Sequence, residues 1–307
     1  MGKRAWLFPG QGAQFVGMGK DLHAASPVAR QIYDRADAIL GFKLSALCFD
    51  GPAERLDTTD VCQPAIFVTS VALAEVWRQG PGKALAADAT AGLSLGEYTA
   101  LWAAGSLSFE DGVRLTRRRG ELMQAASDAN PSTMVSIMGL DEGAIENICE
   151  AASTLGIISP ANFNCPGQVV VSGTRAACAK AAELAEAAGG KAIPLSVAGA
   201  FHSPLMASAA EGLAAELQRV TVDVPKVPVV ANVTGGYHLG DPAGIRKLLV
   251  EQLTHSTQWQ KSMQQLLADG FSEFIEIGPG RVLKGLMRKI DRQAAVANVN
   301  DAASAAG

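Results

Sequence analysis

Ser94 stands in Gly92-Leu93-Ser94-Leu95-Gly96, with a short apolar segment, Ala86 to Ala91, before it and a helix-like run, Glu97 to Ala104, after it. A strand that turns sharply into a helix has no room for side chains two positions either side of the turning residue, so glycines there mark such an elbow. The turn lifts the serine oxygen onto a helix N-terminus, where the first free N–H groups, starting with Leu95, can stabilise an oxyanion. The chemistry on offer is acyl transfer through a serine ester.

A serine hydroxyl is a poor nucleophile without an adjacent base. Four histidines are available: His23, His202, His238 and His255. His202 lies in Ala198-Gly199-Ala200-Phe201-His202-Ser203-Pro204, where a loop re-enters the main body of the chain, and loops leaving a rigid scaffold are where catalytic groups concentrate. The other three read as surface or turn residues with structural roles.

A second glycine-rich element, Pro9-Gly10-Gln11-Gly12-Ala13-Gln14, follows the first apolar run. It is not a dinucleotide loop, because Phe15 stands where G-x-G-x-x-G needs its last glycine; Gly278-Pro279-Gly280-Arg281-Val282-Leu283 fails in the same way. Glycines flanking Gln11 would instead free its backbone N–H to face the serine as a second oxyanion donor. Arg117, Arg118 and Arg119 fall on successive faces of one predicted helix, so at most one or two can face a common site. A guanidinium turned inward would hold a carboxylate through two parallel hydrogen bonds, and the spacing does not say which arginine turns in.

These residues need a frame. Arg4 to Phe8 reads as a buried strand halted by Pro9-Gly10, with similar strands at Val227 to Val233 and Glu273 to Ile277 and amphipathic helices at 205 to 219 and 256 to 268. That alternation predicts a mostly parallel sheet covered by helices. Between Asn130-Pro131 and Gly199 the rhythm changes. Strands at Met134 to Met138, Ile157 to Phe163, Val169 to Ser172 and Ala192 to Val197, with helices at Asp141 to Ala152 and Arg175 to Ala188, give the ferredoxin-like order βαββαβ. The expectation is an α/β fold: an α/β-hydrolase-like, parallel-sheet large domain, residues 1–130 and 199–307, carrying an inserted ferredoxin-like subdomain, residues 131–198. The Ala-rich tail, Ala302 to Gly307, is expected to fray.

With 307 residues the chain can bury a sizeable core unaided. Its 26 basic and 30 acidic residues give a net charge of −4, which offers no general attraction to nucleic acid or to an anionic membrane. The longest apolar stretch, Pro64 to Trp77, contains Glu75 and is too short to span a bilayer, and no signal-peptide core follows Lys3-Arg4. Five cysteines are widely spaced, without a C-x-x-C pair or a histidine at metal-ligand spacing, as expected of reduced thiols in a reducing compartment. No metal is expected.

Taken together, Phe8-Pro9-Gly10-Gln11-Gly12, Gln63-Pro64-Ala65, Gly92 to Tyr98, Arg119-Gly120, Gly199 to Ser203 and Ile277-Gly278-Pro279-Gly280 resemble the malonyl-CoA:acyl-carrier-protein transacylase family, in register over nearly the whole chain. The motifs are shared with the acyltransferase domains of polyketide and animal-type fatty acid synthases. The resemblance implies that Ser94 is the acylated nucleophile and His202 its base, with the backbone carbonyl of Gln252 receiving the second ring N–H of His202 in place of a carboxylate. It further implies Gln11 and Leu95 as oxyanion-hole donors and Arg119 as the partner of the malonyl carboxylate. Phe201 matches the bulky residue that excludes a methyl branch, and Gln63 and Asn162 match positions near the pocket. No cofactor is implied beyond the substrates, malonyl-CoA and holo acyl-carrier protein, and the expected state is a monomer.

Many members carry histidine before the nucleophile, where this chain has Leu93; the proton relay does not need that side chain. Residues 92 to 101 look more like plastid and cyanobacterial members, which implies plastid stroma, after loss of a transit peptide, or bacterial cytoplasm. The rival readings are a serine hydrolase, with His255 as the late base, and a carrier-protein docking module with a dead site.

Overall fold

The computed structural model describes residues 2–307 and contains two four-stranded sheets. The strands are β1 (Lys3–Phe8), β2 (Ala89–Gly92), β3 (Ser132–Met138), β4 (Ile158–Cys165), β5 (Gln168–Thr174), β6 (Lys191–Pro194), β7 (Phe271–Ile277) and β8 (Ala295–Val299). The first sheet has the order β2-β1-β7-β8 and is wholly parallel. Every residue of β1 from Arg4 to Phe8 is buried, as a parallel strand covered on both faces must be. Side chains alternate across it: Trp6 and Phe8 join the core under the helices Thr59–Gln79 and Phe109–Ala129, whereas Ala5 and Leu7 pack with the helices Trp259–Ala268 and Val282–Ile290.

The second sheet is antiparallel, with the order β4-β5-β3-β6, and its elements run βαββαβ along the chain. Val135, Ile137 and Val171 form a core with the helices Glu142–Ala152 and Arg175–Ala187 on one face. Met134, Ser136 and Val170 point the other way, toward Ser94.

Three expectations are corrected. Val227 to Val233 is not a full strand: Pro228 within it and Pro225 just before it supply no N–H donors, and among the described residues only the bridge Thr90↔Val229 continues the parallel sheet beyond β2. The helix expected from residue 256 starts at Trp259, because Thr257 exchanges backbone hydrogen bonds with Ala161 and Phe163 of β4. The tail is not frayed. Asp301 and Ser304 form a capping box on the helix Ala302–Ala306, Ala305 is buried, and the Ala302 N–H donates to Asp21.

Candidate active site

β2 ends at Gly92 and the next helix, Gly96–Ala103, begins four residues later, so the elbow is as tight as its glycines permit. A Cβ on Gly92 would lie 1.9 Å from the carbonyl of Gly96. Ser94 at the apex has φ +53°, and the other non-glycine residue with positive φ among the described residues is His202, at +56°. Backbone held in this region persists only where surrounding structure enforces it, and it clusters at functional sites. The two strained residues meet: Ser94 Oγ lies 2.8 Å from His202 Nε2.

The other ring nitrogen, Nδ1, lies 2.7 Å from the main-chain oxygen of Gln252. A carbonyl can only accept, so Nδ1 carries the proton and Nε2 is left to accept from the serine hydroxyl. Burial, then the charge of Arg119, pull the pKa of His202 down to about 4, against the upward pull of the Gln252 carbonyl. The ring is therefore neutral near pH 7, with the Nε2 lone pair facing the serine hydroxyl.

Of the three consecutive arginines, Arg117 turns to Asp60 and Glu121, and Arg118 to Glu121 and Glu216. Arg119 turns inward and is 1% exposed. Its Nη1 donates to Gln63 Oε1 (2.7 Å), and its Nη2 donates to Ser94 Oγ (3.1 Å) and to Gln252 Oε1 (2.9 Å). Among the described residues it forms no salt bridge and its Nε has no acceptor. Burial lowers its pKa, yet a guanidinium stays protonated in proteins, so this is a desolvated cation held only by neutral groups.

β1 and β2 are neighbours with Phe8 opposite Gly92, so the loops that follow them emerge side by side. Gln11 and Leu95 thereby flank Ser94, and among the described residues neither backbone N–H donates to a protein acceptor. A cleft of about 270 Å³ opens in front of the serine, with Gln11, Phe201 and His202 on one side and Met134, Ser136 and Asn162 of the antiparallel sheet on the other. Asn164, on the same wall, has a buried carboxamide oxygen without a partner among the described residues. Neither Arg119 nor Gln63 lines the cleft: Arg119 meets it through its contact with Ser94 Oγ, and Gln63 bonds Arg119 on its other side, with its Nε2 3.3 Å from Met123 Sδ.

Several groups around the serine are not foreshadowed by sequence pattern. Asn232 Oδ1 accepts from the Ser94 N–H (2.6 Å), and its Nδ2 donates to Gly92 O (2.7 Å). The Gln252 side chain donates to Ser94 O (3.0 Å) and to Glu97 Oε2 (2.6 Å). His238, expected at the surface or in a turn, has a fully buried side chain 2.7 Å from Glu97 Oε1. The one signal was a polar residue, Asn232, closing the apolar run that ends at Ala231. His23 packs against Tyr33 and Phe49. His255 is exposed and among the described residues bonds only Glu251 and Thr254, which leaves the hydrolase reading without its late base. Among the described residues no three potential ligands cluster to hold a metal, and no helix is long and apolar enough to cross a membrane.

Residues 5–306 match the family model of the acyl transferase domain. The chain is 44% identical over 303 residues to the malonyl CoA-acyl carrier protein transacylase of Bacillus subtilis, covering 98% of this chain and 94% of that one. It is 45% identical over 287 residues to the protein of the same name from Escherichia coli K12, covering 93% and 92%. Among solved structures, a malonyl-transacylase in complex with a type II PKS acyl-carrier protein superposes with a TM-score of 0.94 at 41% identity, covering 99% and 97%. The transacylase of Coxiella burnetii gives 0.93 at 36% identity, covering 99% and 96%.

Proposed function

The chain belongs to the acyl transferase family and, within it, to the malonyl-CoA–acyl-carrier-protein transacylases, and from that premise we propose how its own residues perform the reaction. It transfers the malonyl group of malonyl-CoA to the phosphopantetheine thiol of acyl-carrier protein, supplying fatty acid synthesis. His202 Nε2 takes the hydroxyl proton as Ser94 Oγ attacks the thioester carbonyl, and the resulting oxyanion is met by the free N–H groups of Leu95 and Gln11. Collapse expels the CoA thiolate, which recovers the proton from His202 and leaves malonyl-Ser94. The carrier thiol then gives its proton to His202 and attacks the ester, and Ser94 Oγ leaves with that proton from His202, which restores the free enzyme. Gln252 acts through its main-chain oxygen by fixing the His202 tautomer, the task a carboxylate performs in a Ser-His-Asp triad. Ser94 and His202 thus work as a dyad, without a cofactor.

The observation that carries this reading is Arg119: a buried guanidinium with only neutral partners, 3.1 Å from the hydroxyl to be acylated. A malonyl carboxylate supplies the missing counter-charge, whereas an acetyl group leaves the cation buried and unpaired, at a cost of about 3–5 kcal/mol. Gln63 holds Arg119 from behind, Phe201 closes the space a methyl branch at C2 would occupy, and Asn162 faces the acyl chain from β4. Residues 131–198, with their own core, act as a subdomain over the large domain of residues 1–130 and 199–307. The site draws on one chain, which suits a monomer. Five free cysteines suit a reducing compartment, bacterial cytoplasm or plastid stroma; the plastid alternative rests on residues 92 to 101 alone.

Intact-mass spectrometry tests the scheme on wild type and Ser94→Ala exposed briefly to malonyl-CoA or acetyl-CoA and then to holo acyl-carrier protein. The expected result is a malonyl adduct on wild type only, discharged onto the carrier and barely formed from acetyl-CoA. An adduct retained by Ser94→Ala, or one lost to water before the carrier is added, would sink it.

A further inference from the structure

Glu97 lies in the first turn of the helix that follows Ser94 and is 1% exposed. A buried carboxylate is costly unless its oxygens are met by donors. Oε1 is met by His238 Nε2 at 2.7 Å, and Oε2 by the Asn232 N–H at 3.1 Å and Gln252 Nε2 at 2.6 Å. Two of these three partners lead straight into the site. Asn232 accepts from the Ser94 N–H, and Gln252 bonds Ser94 O and Arg119 with its side chain and His202 with its main chain.

The Gln252 carboxamide therefore lies between two buried charges of opposite sign. Its NH₂ faces the Glu97 carboxylate and its oxygen faces the Arg119 guanidinium. The two ends of an amide have nearly the same shape, so packing alone does not choose between them. Its neighbours do: Glu97 and Ser94 O accept from the NH₂ and Arg119 donates to the oxygen, and of the two acceptors Glu97 is the carboxylate, so reversal would set NH₂ against a guanidinium and oxygen against a carboxylate. The amide also keeps the charges apart. A direct Glu97–Arg119 pair would neutralise the cation that the acyl carboxylate must find free.

We propose that Glu97 is a positioning residue for malonyl selection. Through the Gln252 carboxamide it holds Arg119 where an acyl carboxylate can reach it, and through Asn232 it braces the Ser94 elbow. His238 closes the network, and its Nδ1 is buried without a partner among the described residues. The inference rests on the reading of Arg119 as the carboxylate site.

The test is the rate of Ser94 acylation from malonyl-CoA and from acetyl-CoA, by intact mass, in wild type, Glu97→Leu and Glu97→Gln. The ratio of the two rates does not depend on how much protein is folded, so a merely structural role leaves it at the wild-type value. A positioning role lowers the malonyl-to-acetyl ratio by about tenfold in Glu97→Leu and about threefold in Glu97→Gln, the range expected when directly coupled groups are separated. Glu97→Gln keeps the side-chain volume and carries the test if the leucine variant does not fold. A wild-type ratio in the folded variants overturns the role of Glu97 alone. Wild type without a malonyl preference overturns the reading of Arg119, and this inference with it.

Discussion

At the carboxyl ends of its strands the parallel sheet delivers loops and strained backbone to the cleft, whereas the antiparallel sheet delivers one of its faces. β1, β2 and the short bridge at Val229 lie side by side and run the same way, so Gln11, Ser94 and Asn232 emerge together on one side. Convergence of this kind is why ligands of open α/β sheets sit beyond the strands' carboxyl ends. In the antiparallel sheet, alternation sends Met134, Ser136 and Val170 to the cleft and Val135, Ile137 and Val171 to a separate core. The first region makes and breaks bonds; the second shapes the space where that happens.

The contrast breaks most visibly at Arg119. Arg119→Ala should lower Ser94 acylation from malonyl-CoA by roughly 10²–10³-fold, the kinetic equivalent of losing a buried charge pair, while acylation from acetyl-CoA changes by only a few fold. Single-turnover mass measurements with both donors check this, and an equal fall for both would remove Arg119 from acyl selection. A smaller effect lies in the titration of His202. Its pKa is depressed to about 4 from an ordinary 6.5, first by burial and then by the Arg119 charge. The base is therefore neutral at every pH well above 4 and becomes charged only below it. NMR titration of the imidazole should show its midpoint well below 6.5 in wild type and shifted upward in Arg119→Ala; a midpoint that ignores the substitution would separate the two groups electrostatically.

The antiparallel sheet should answer in stability rather than in chemistry. Val171→Ala removes methyl groups from the core beneath the helices Glu142–Ala152 and Arg175–Ala187. It should cost about 1–2 kcal/mol on denaturant unfolding while changing the acylation rate less than twofold. A large loss of rate in a folded variant would show that this region does more than shape the cleft.

What the sequence disclosed follows the same division. Glycines around Ser94 and Gln11, and the βαββαβ rhythm, are local signals and could be read directly. Asn232, Glu97 and His238 were not legible as a unit, because Asn232 and His238 lie 138 and 141 positions from the residues they bond, and no spacing rule reaches so far. Val227 to Val233 misled because apolar residues outweighed Pro228, which denies it a donor. At the tail, low complexity masked Asp301 and Ser304, whose spacing is a capping signal.

The segment between Gln252 and Trp259 carries a consequence for redesign. One end holds the His202 ring, and a few residues on Thr257 is bonded into β4, whose Asn162 lines the cleft. It behaves as a strut between the wall and the base. An engineer wishing to admit a bulkier acyl chain cannot simply move that wall outward, since displacement of β4 is transmitted to the carbonyl that sets the imidazole. Room has to be made by trimming side chains such as Phe201 or Met134, with the backbone of the strut left where it is.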